Sequence, residues 1–85
     1  MTIRYAAELR KQFAKLPIDA RRLFRVQEQR FRDDPRDPRL HMKKLHGEPV
    51  TFSFRITRRY RVLFVLVEPD VALFATIGHR KDAYR

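Results

Sequence analysis

Cationic groups dominate the side chains of this sequence that could do chemistry. Twenty lysines and arginines stand against ten acids in 85 residues, a formal charge of +10. The excess is uneven. Residues 1–38 hold ten bases and six acids, mixed signs that read as solvated helix faces, whereas residues 39–85 hold ten bases and four acids. From Pro49 to Val67 there are four arginines (Arg55, Arg58, Arg59 and Arg61) and no acid. A guanidinium stays charged across the physiological range, and its planar fork fits two phosphate oxygens. Such a balance is the electrostatic footprint of a nucleic-acid partner, although an acidic protein would satisfy it too.

Several other chemistries are excluded. There is no cysteine, which removes thiolate nucleophiles, disulfides and thiolate metal sites. His41, His46 and His79 lack the paired spacing of a zinc site, so neither a metal nor another cofactor is expected. The only serine is Ser53, and nothing resembles a Ser/His/Asp arrangement or a phosphate-binding glycine loop.

Positioning these groups falls to one small domain spanning residues 1–85. A chain of this length buries about 60–65% of its unfolded surface, enough for a single core. The 44% hydrophobic and 12% aromatic content, with seven phenylalanines, supplies that core. No apolar run reaches the roughly 18–20 residues of a membrane span. The N-terminus, charged from Arg4 onward, lacks a signal-peptide core, so a cytoplasmic protein with no membrane partner is expected.

Leu9, Phe13 and Leu16 repeat at helical spacing within Ala7–Leu16, and Pro17 ends that helix. Asp19 is the expected N-cap of a second helix to about Arg32, with Ala20, Leu23, Phe24 and Phe31 facing the core. The tract Asp33 to Pro38 reads as a loop. In Val50–Ile56, Val50, Phe52, Phe54 and Ile56 alternate with Thr51, Ser53 and Arg55, the signature of a strand with one buried face. Tyr60–Val67 is a near-continuous apolar run suited to a central strand, and Val71–Ile77 forms the last strand after a Glu68-Pro69-Asp70 turn. The fold class is therefore α+β: a helical hairpin, with an optional short strand at Thr2–Tyr5 before it, packed on one face of a small, mainly antiparallel sheet. Strand parity sends Arg55 and Arg61 to the uncovered face, beside Leu63 and Val65 and near the hairpin of Arg58 and Arg59. Lys43 and Lys44 lie earlier, beside an expected loop. In the last strand His79 continues the inward parity of Leu73, Ala75 and Ile77.

One ordered set of short motifs spans nearly the whole chain. It runs Lys44-Leu45-His46-Gly47, Ser53-Phe54-Arg55-Ile56, Tyr60-Arg61-Val62-Leu63-Phe64, Ile77-Gly78-His79-Arg80 and Tyr84-Arg85. After a helical hairpin and an Asp-Pro-Arg tract, this order resembles the RelE/ParE toxin superfamily. The resemblance implies a RelE-like fold and a cognate antitoxin protein that covers the sheet or catalytic surface in a toxin–antitoxin hetero-oligomer. RelE-like members cut mRNA in the ribosomal A site; ParE-like members share the fold, lack the RNA-cutting residues and poison DNA gyrase.

The resemblance also implies residue roles. Arg61 falls on the family's strand arginine that holds the scissile phosphate, Arg80 on its arginine near the end of the last strand, and Tyr84 on its C-terminal tyrosine. The chain departs from RelE where that toxin carries lysines on the outward face of its second strand, since Ser53 and Arg55 stand there. Arginine stabilises charge but is a poor base. His79, with an ordinary pKa of about 6.5, is the natural replacement for proton transfer. The expected catalytic set is Arg61, Arg80, His79 and Tyr84. Lys43, Lys44, Arg55, Arg58, Arg59, Lys81 and Arg85 are the expected contacts to a ribosome with bound mRNA. The expectation is a type II toxin acting as a ribosome-dependent mRNA endonuclease; a gyrase poison or an inactive relative is the alternative.

Overall fold

The computed structural model describes residues 1–45, 47 and 50–79. In chain order the elements are β1 (Thr2–Tyr5), α1 (Ala7–Lys15), α2 (Ile18–Asp33), a 3-10 turn (Pro38–Leu40), β2 (Lys43–Leu45), β3 (Thr51–Arg55), β4 (Tyr60–Glu68) and β5 (Val71–His79). The five strands form one mixed sheet ordered β1-β5-β4-β3-β2, in which only the β1–β5 pair is parallel. This is the expected α+β architecture, with the optional strand present and one further strand, β2, that the sequence reading placed beside a loop.

Pro17 separates the two helices. It holds Leu16 extended (φ −68, ψ 147) and itself takes the N-cap position of α2. Asp19 is therefore not the cap but an acid in the first turn, where it complements the helix dipole. The buried stripe of α2 is Ala20, Phe24, Gln27, Glu28 and Phe31. Leu23, expected inside, is 43% exposed, because at about 100° per residue it falls beside this stripe rather than on it.

The stripe meets an aromatic core. Phe31 lies at its centre, with ring centroids 5.6 Å from Phe54, 5.1 Å from Phe64 and 5.2 Å from Phe74. The 3-10 turn is pinned by Asp37, whose carboxylate accepts from the Arg39 backbone N–H and guanidinium (2.9 and 2.7 Å). Those bonds hold the Asp37 carboxyl down to about 2, so its contribution is present above the ordinary carboxylate range and is lost as pH falls through that value.

The β4–β5 ladder slips between Leu63 and Phe64: Leu63 pairs with Thr76, Phe64 with Phe74, and Ala75 is the extra residue. The slip reverses the facing of β5. Ala72, Phe74 and Ile77 are buried against the helices, while Leu73, Thr76 and Gly78 pair with outward residues. The expected inward set of Leu73 and Ala75 is thus corrected. Beyond the end of β1, the free edge of β5 is closed by Gln12 of α1. Its Oε1 accepts from the Thr76 hydroxyl (2.9 Å) and the Ile77 N–H (2.6 Å).

Glu28 joins α2 to β1. It is buried, accepts a hydrogen bond from the Tyr5 hydroxyl, and pairs with Arg25 (3.2 Å) and Arg32 (3.8 Å). Burial first, and the Glu28 carboxylate second, push the Tyr5 phenol above its ordinary range. The stabilisation is therefore complete below about pH 10 and lost as pH rises through the raised value. Glu28→Ala should cost about 1–3 kcal/mol, each lowering the melting temperature by about 4–8 °C in a domain of this size. The same variant should move the Tyr5 titration back toward the ordinary phenol value in an ultraviolet absorbance titration. A variant melting with the wild type would show that Glu28 does not tie α2 to β1.

Candidate functional site

β3 and β4 run antiparallel with Arg55 directly opposite Arg61, and β5 places Gly78 opposite Arg61 on its other flank. Ile56 N–H donates to the Tyr60 carbonyl (2.9 Å), which makes the neighbouring pair the hydrogen-bonded one. Arg55 and Arg61 are therefore a pair without ladder bonds, the type whose Cα atoms approach to about 4.5 Å and whose side chains lie closest. Like charges set in direct opposition cost a sheet stability. The next row on this face is Lys43, Ser53, Leu63 and Thr76. Val62 and Phe54, one residue away from the arginines, are fully buried in the aromatic core, so the arginine row faces away from the helices.

The depth of that row is not what alternation suggests. Arg61, expected on an uncovered face, is only 2% exposed, and Ser53 is 0% exposed. The parity is as expected; the exposure is not, because alternation reports the side a residue faces and not what surrounds it. A dehydrated guanidinium beside a second one acts on an anion through a low local dielectric, where Coulomb attraction is several-fold stronger than in water. Among the described residues, Ser53 Oγ and Arg55 Nε are buried and have no hydrogen-bond partner.

The remaining expected residues divide by position. Arg58 and Arg59 are exposed in the β3–β4 hairpin, where the Thr57 hydroxyl accepts from the backbone N–H groups of Arg59 (3.0 Å) and Tyr60 (3.2 Å). Lys43 shares the arginine face through its pairing with Ser53, whereas Lys44 pairs with Phe52 and takes the other side of the edge strand; both are exposed. His79 pairs with Tyr60, ring centroids 5.9 Å apart, in the row beyond Val62 and Ile77. It therefore sits on the helix side, where it lines a cavity of about 200 Å³ with Gln12, Lys15, Leu16, Tyr60 and Ile77. The structure brings Arg55 and Arg61 together, keeps Lys43 one row away, and sets His79 on the opposite face. Arg80, Lys81, Tyr84 and Arg85 lie outside the described residues, as do His46 and Glu48.

A larger cavity, about 440 Å³, opens on the helix side toward the other end of the sheet, among Met1, Met42, Phe52, Phe64 and Leu66. Its lining is mainly apolar and it carries none of the expected groups. Among the described residues no three potential ligands group around a metal position, and no helix is long and apolar enough to cross a membrane.

Sequence reasoning passed over two buried polar groups of α2, Gln27 and Glu28. The signal was available: Ala20, Phe24, Gln27 and Phe31 follow helical spacing, so a polar residue on that stripe has to find partners inside.

No family model and no curated protein matches the chain. Solved structures do. The toxin–antitoxin complex RelBE2 from Mycobacterium tuberculosis matches at 34% identity over 95% of this chain and 92% of that one, with a TM-score of 0.62. An archaeal RelE–RelB complex from Pyrococcus horikoshii OT3 superposes with a TM-score of 0.78 at 18% identity, over 95% and 96% of the two chains. A YoeB/ParE toxin from Agrobacterium tumefaciens gives 0.77 at 10% identity, over 94% and 99%. The last two share the fold. The first adds sequence identity over nearly the full length.

Proposed function

This chain belongs to the RelE/ParE toxin superfamily, and from that membership we propose that it is the toxin of a type II pair that cuts mRNA on the ribosome. The observation that carries the reading is the Arg55–Arg61 pair: two cations in direct register on the face away from the helices, one of them almost wholly buried. A gyrase poison needs the fold without a phosphate-holding pair of this kind.

Metal-free RNA cleavage begins when the 2′-hydroxyl loses its proton to a base and its oxygen attacks the adjacent phosphorus. The bond to the 5′-oxygen breaks, that oxygen takes a proton, and a 2′,3′-cyclic phosphate is left upstream. The phosphorane between these states carries two negative charges, and preorganised cations stabilise it where it forms. Arg61 holds its non-bridging oxygens, Arg55 supplies the second cation, and Arg80 joins them on the strength of the family match. His79 faces the helices, so proton transfer falls to Tyr84 on the strength of the family match. Lys43, Arg58 and Arg59 contact phosphates outside the reacting group, which positions RNA without reading its sequence; Lys44, on the other side of the edge strand, is assigned a further ribosomal contact, as are Lys81 and Arg85.

The RelE structures it resembles are complexes with RelB. We assign this chain a cognate antitoxin with an acidic, amphipathic segment, because the arginine face also presents half-buried Leu63, Val65 and Leu73. The ribosome as target places the toxin in the cytoplasm.

Induced expression followed by mapping of mRNA 5′ ends tests the activity. Fresh ends inside translated frames are the expected result. Double-strand DNA breaks trapped on gyrase, with messages intact, would replace this reading by the gyrase one.

A further inference from the structure

We propose that Gln27, on the far side of the sheet, is the positioning residue for Arg55; the inference rests on the phosphate-holding role given to the arginine pair. Gln27 lies in the middle of α2 and is 5% exposed. Its Nε2 donates to the Arg55 carbonyl (2.7 Å) and to the Arg39 carbonyl (2.9 Å), while its Oε1 accepts from Arg30 Nη1 (2.9 Å). Two carbonyl acceptors on one side and a guanidinium donor on the other allow a single orientation of the amide.

Sheet geometry explains why Arg55 needs this partner. In a pair without ladder bonds, the backbone N–H and C=O of Arg55 point away from β4, toward the place of the next strand. That strand is β2, and it pairs with β3 only from Thr51 to Ser53. Before Lys43 the chain has turned aside through His41, which is left-handed (φ 49). At Arg55 the sheet therefore has no neighbouring strand, and a buried carbonyl there would cost about 1–3 kcal/mol if left alone. Gln27 takes the place of the missing strand.

This placement reaches the arginine side chain. Fixing the Arg55 carbonyl fixes the last peptide plane of β3, and with it the direction in which the Arg55 side chain leaves the sheet. The second bond, to Arg39, clamps the segment leading into β2, which carries Lys43 on the same outward face. One amide inside the helix-side core thus sets two cations of the opposite surface.

A double-mutant cycle on single-turnover mRNA cleavage with programmed ribosomes separates positioning from mere stitching of the fold. Gln27→Met keeps the volume and removes the donors. In the wild-type background it should slow cleavage by roughly tenfold to a hundredfold, the usual effect of misplacing a reacting group's partner by about an ångström. In the Arg55→Ala background, at saturating toxin so that the part of Lys43 in binding drops out, it should slow it no further, because there is no arginine left to aim. Equal slowing in both backgrounds, or wild-type cleavage by Gln27→Met, would overturn the inference. Arg30→Met, which removes only the group orienting the amide, is the milder variant should Gln27→Met fail to fold; it should show the same pattern with a smaller loss.

A second readout does not depend on activity. The Arg55 Nε–H is buried, so its NMR signal in the free protein should exchange slowly with water, and Gln27→Met should speed that exchange. Unchanged exchange counts against positioning. Wild-type cleavage by Arg55→Ala would remove the arginine-pair reading itself, whereas a slow Arg55→Ala with a normal Gln27→Met would remove only this inference.

Discussion

Replacing Arg61 by alanine is expected to lower the rate of mRNA cleavage by about a hundred- to a thousandfold and to abolish toxicity. That is the usual loss when one preorganised donor to a developing charge is removed, about 2.7–4 kcal/mol. The protein should still fold. Arg61 stands on the face away from the aromatic core, so that core stays intact, and the space left by a side chain only 2% exposed should lower the melting temperature without unfolding the domain. Arg61→Lys should recover little of the lost rate, since an ammonium keeps the charge and loses the fork that grips two oxygens. Circular dichroism establishes folding and single-turnover kinetics the rate. Full toxicity from a folded Arg61→Ala protein would take the phosphate-holding role away from the arginine pair.

The largest stability effect should come from Phe31→Ala. Phe31 is fully buried and its ring touches those of Phe54, Phe64 and Phe74, so it joins α2 to β3, β4 and β5 at once. Truncating a buried phenylalanine costs about 3–5 kcal/mol. Domains of this kind are stable by only about 5–15 kcal/mol in total. The variant should therefore melt far below the wild type, by about 4–8 °C per kcal/mol lost. Phe13→Ala, at a half-buried ring on the margin of the core, should cost clearly less. Equal melting temperatures for Phe31→Ala and wild type would contradict the placement of this residue at the core's centre.

Much of this architecture is legible in the chain, for identifiable reasons. The strict alternation of Val50 to Ile56 and the apolar run from Tyr60 state which side of the sheet each residue faces, and so place Arg55 and Arg61 together. The helical hairpin follows from the stripes around Leu9 and Phe24 and from Pro17 between them. Other features are decided by partners distant in sequence. The slip at Ala75 depends on how β5 meets β4, and it alone moves Ile77 and His79 relative to Leu73. Nothing in the Lys43–Leu45 triplet marks it as a strand until β3 is beside it. The burial of Arg61 and the bonds of Gln27 belong to the assembled molecule, although a glutamine on an apolar stripe was a visible signal. The catalytic assignments of Arg80 and Tyr84 continue to rest on the family match.

The central claim is that the arginine pair makes this toxin an RNA-cutting one, and reconstituted cleavage tests it most directly. Purified protein, free of antitoxin, is mixed in excess with ribosomes holding one defined message, and the RNA ends are analysed. The account predicts a cut in the ribosome-bound message that leaves a 2′,3′-cyclic phosphate upstream and a 5′-hydroxyl downstream. The cut should be lost in Arg61→Ala and retained in His79→Ala, with no inflection near pH 6–7 in the rate. An intact message at saturating wild-type protein, or the same cut made equally fast by Arg61→Ala, would contradict it.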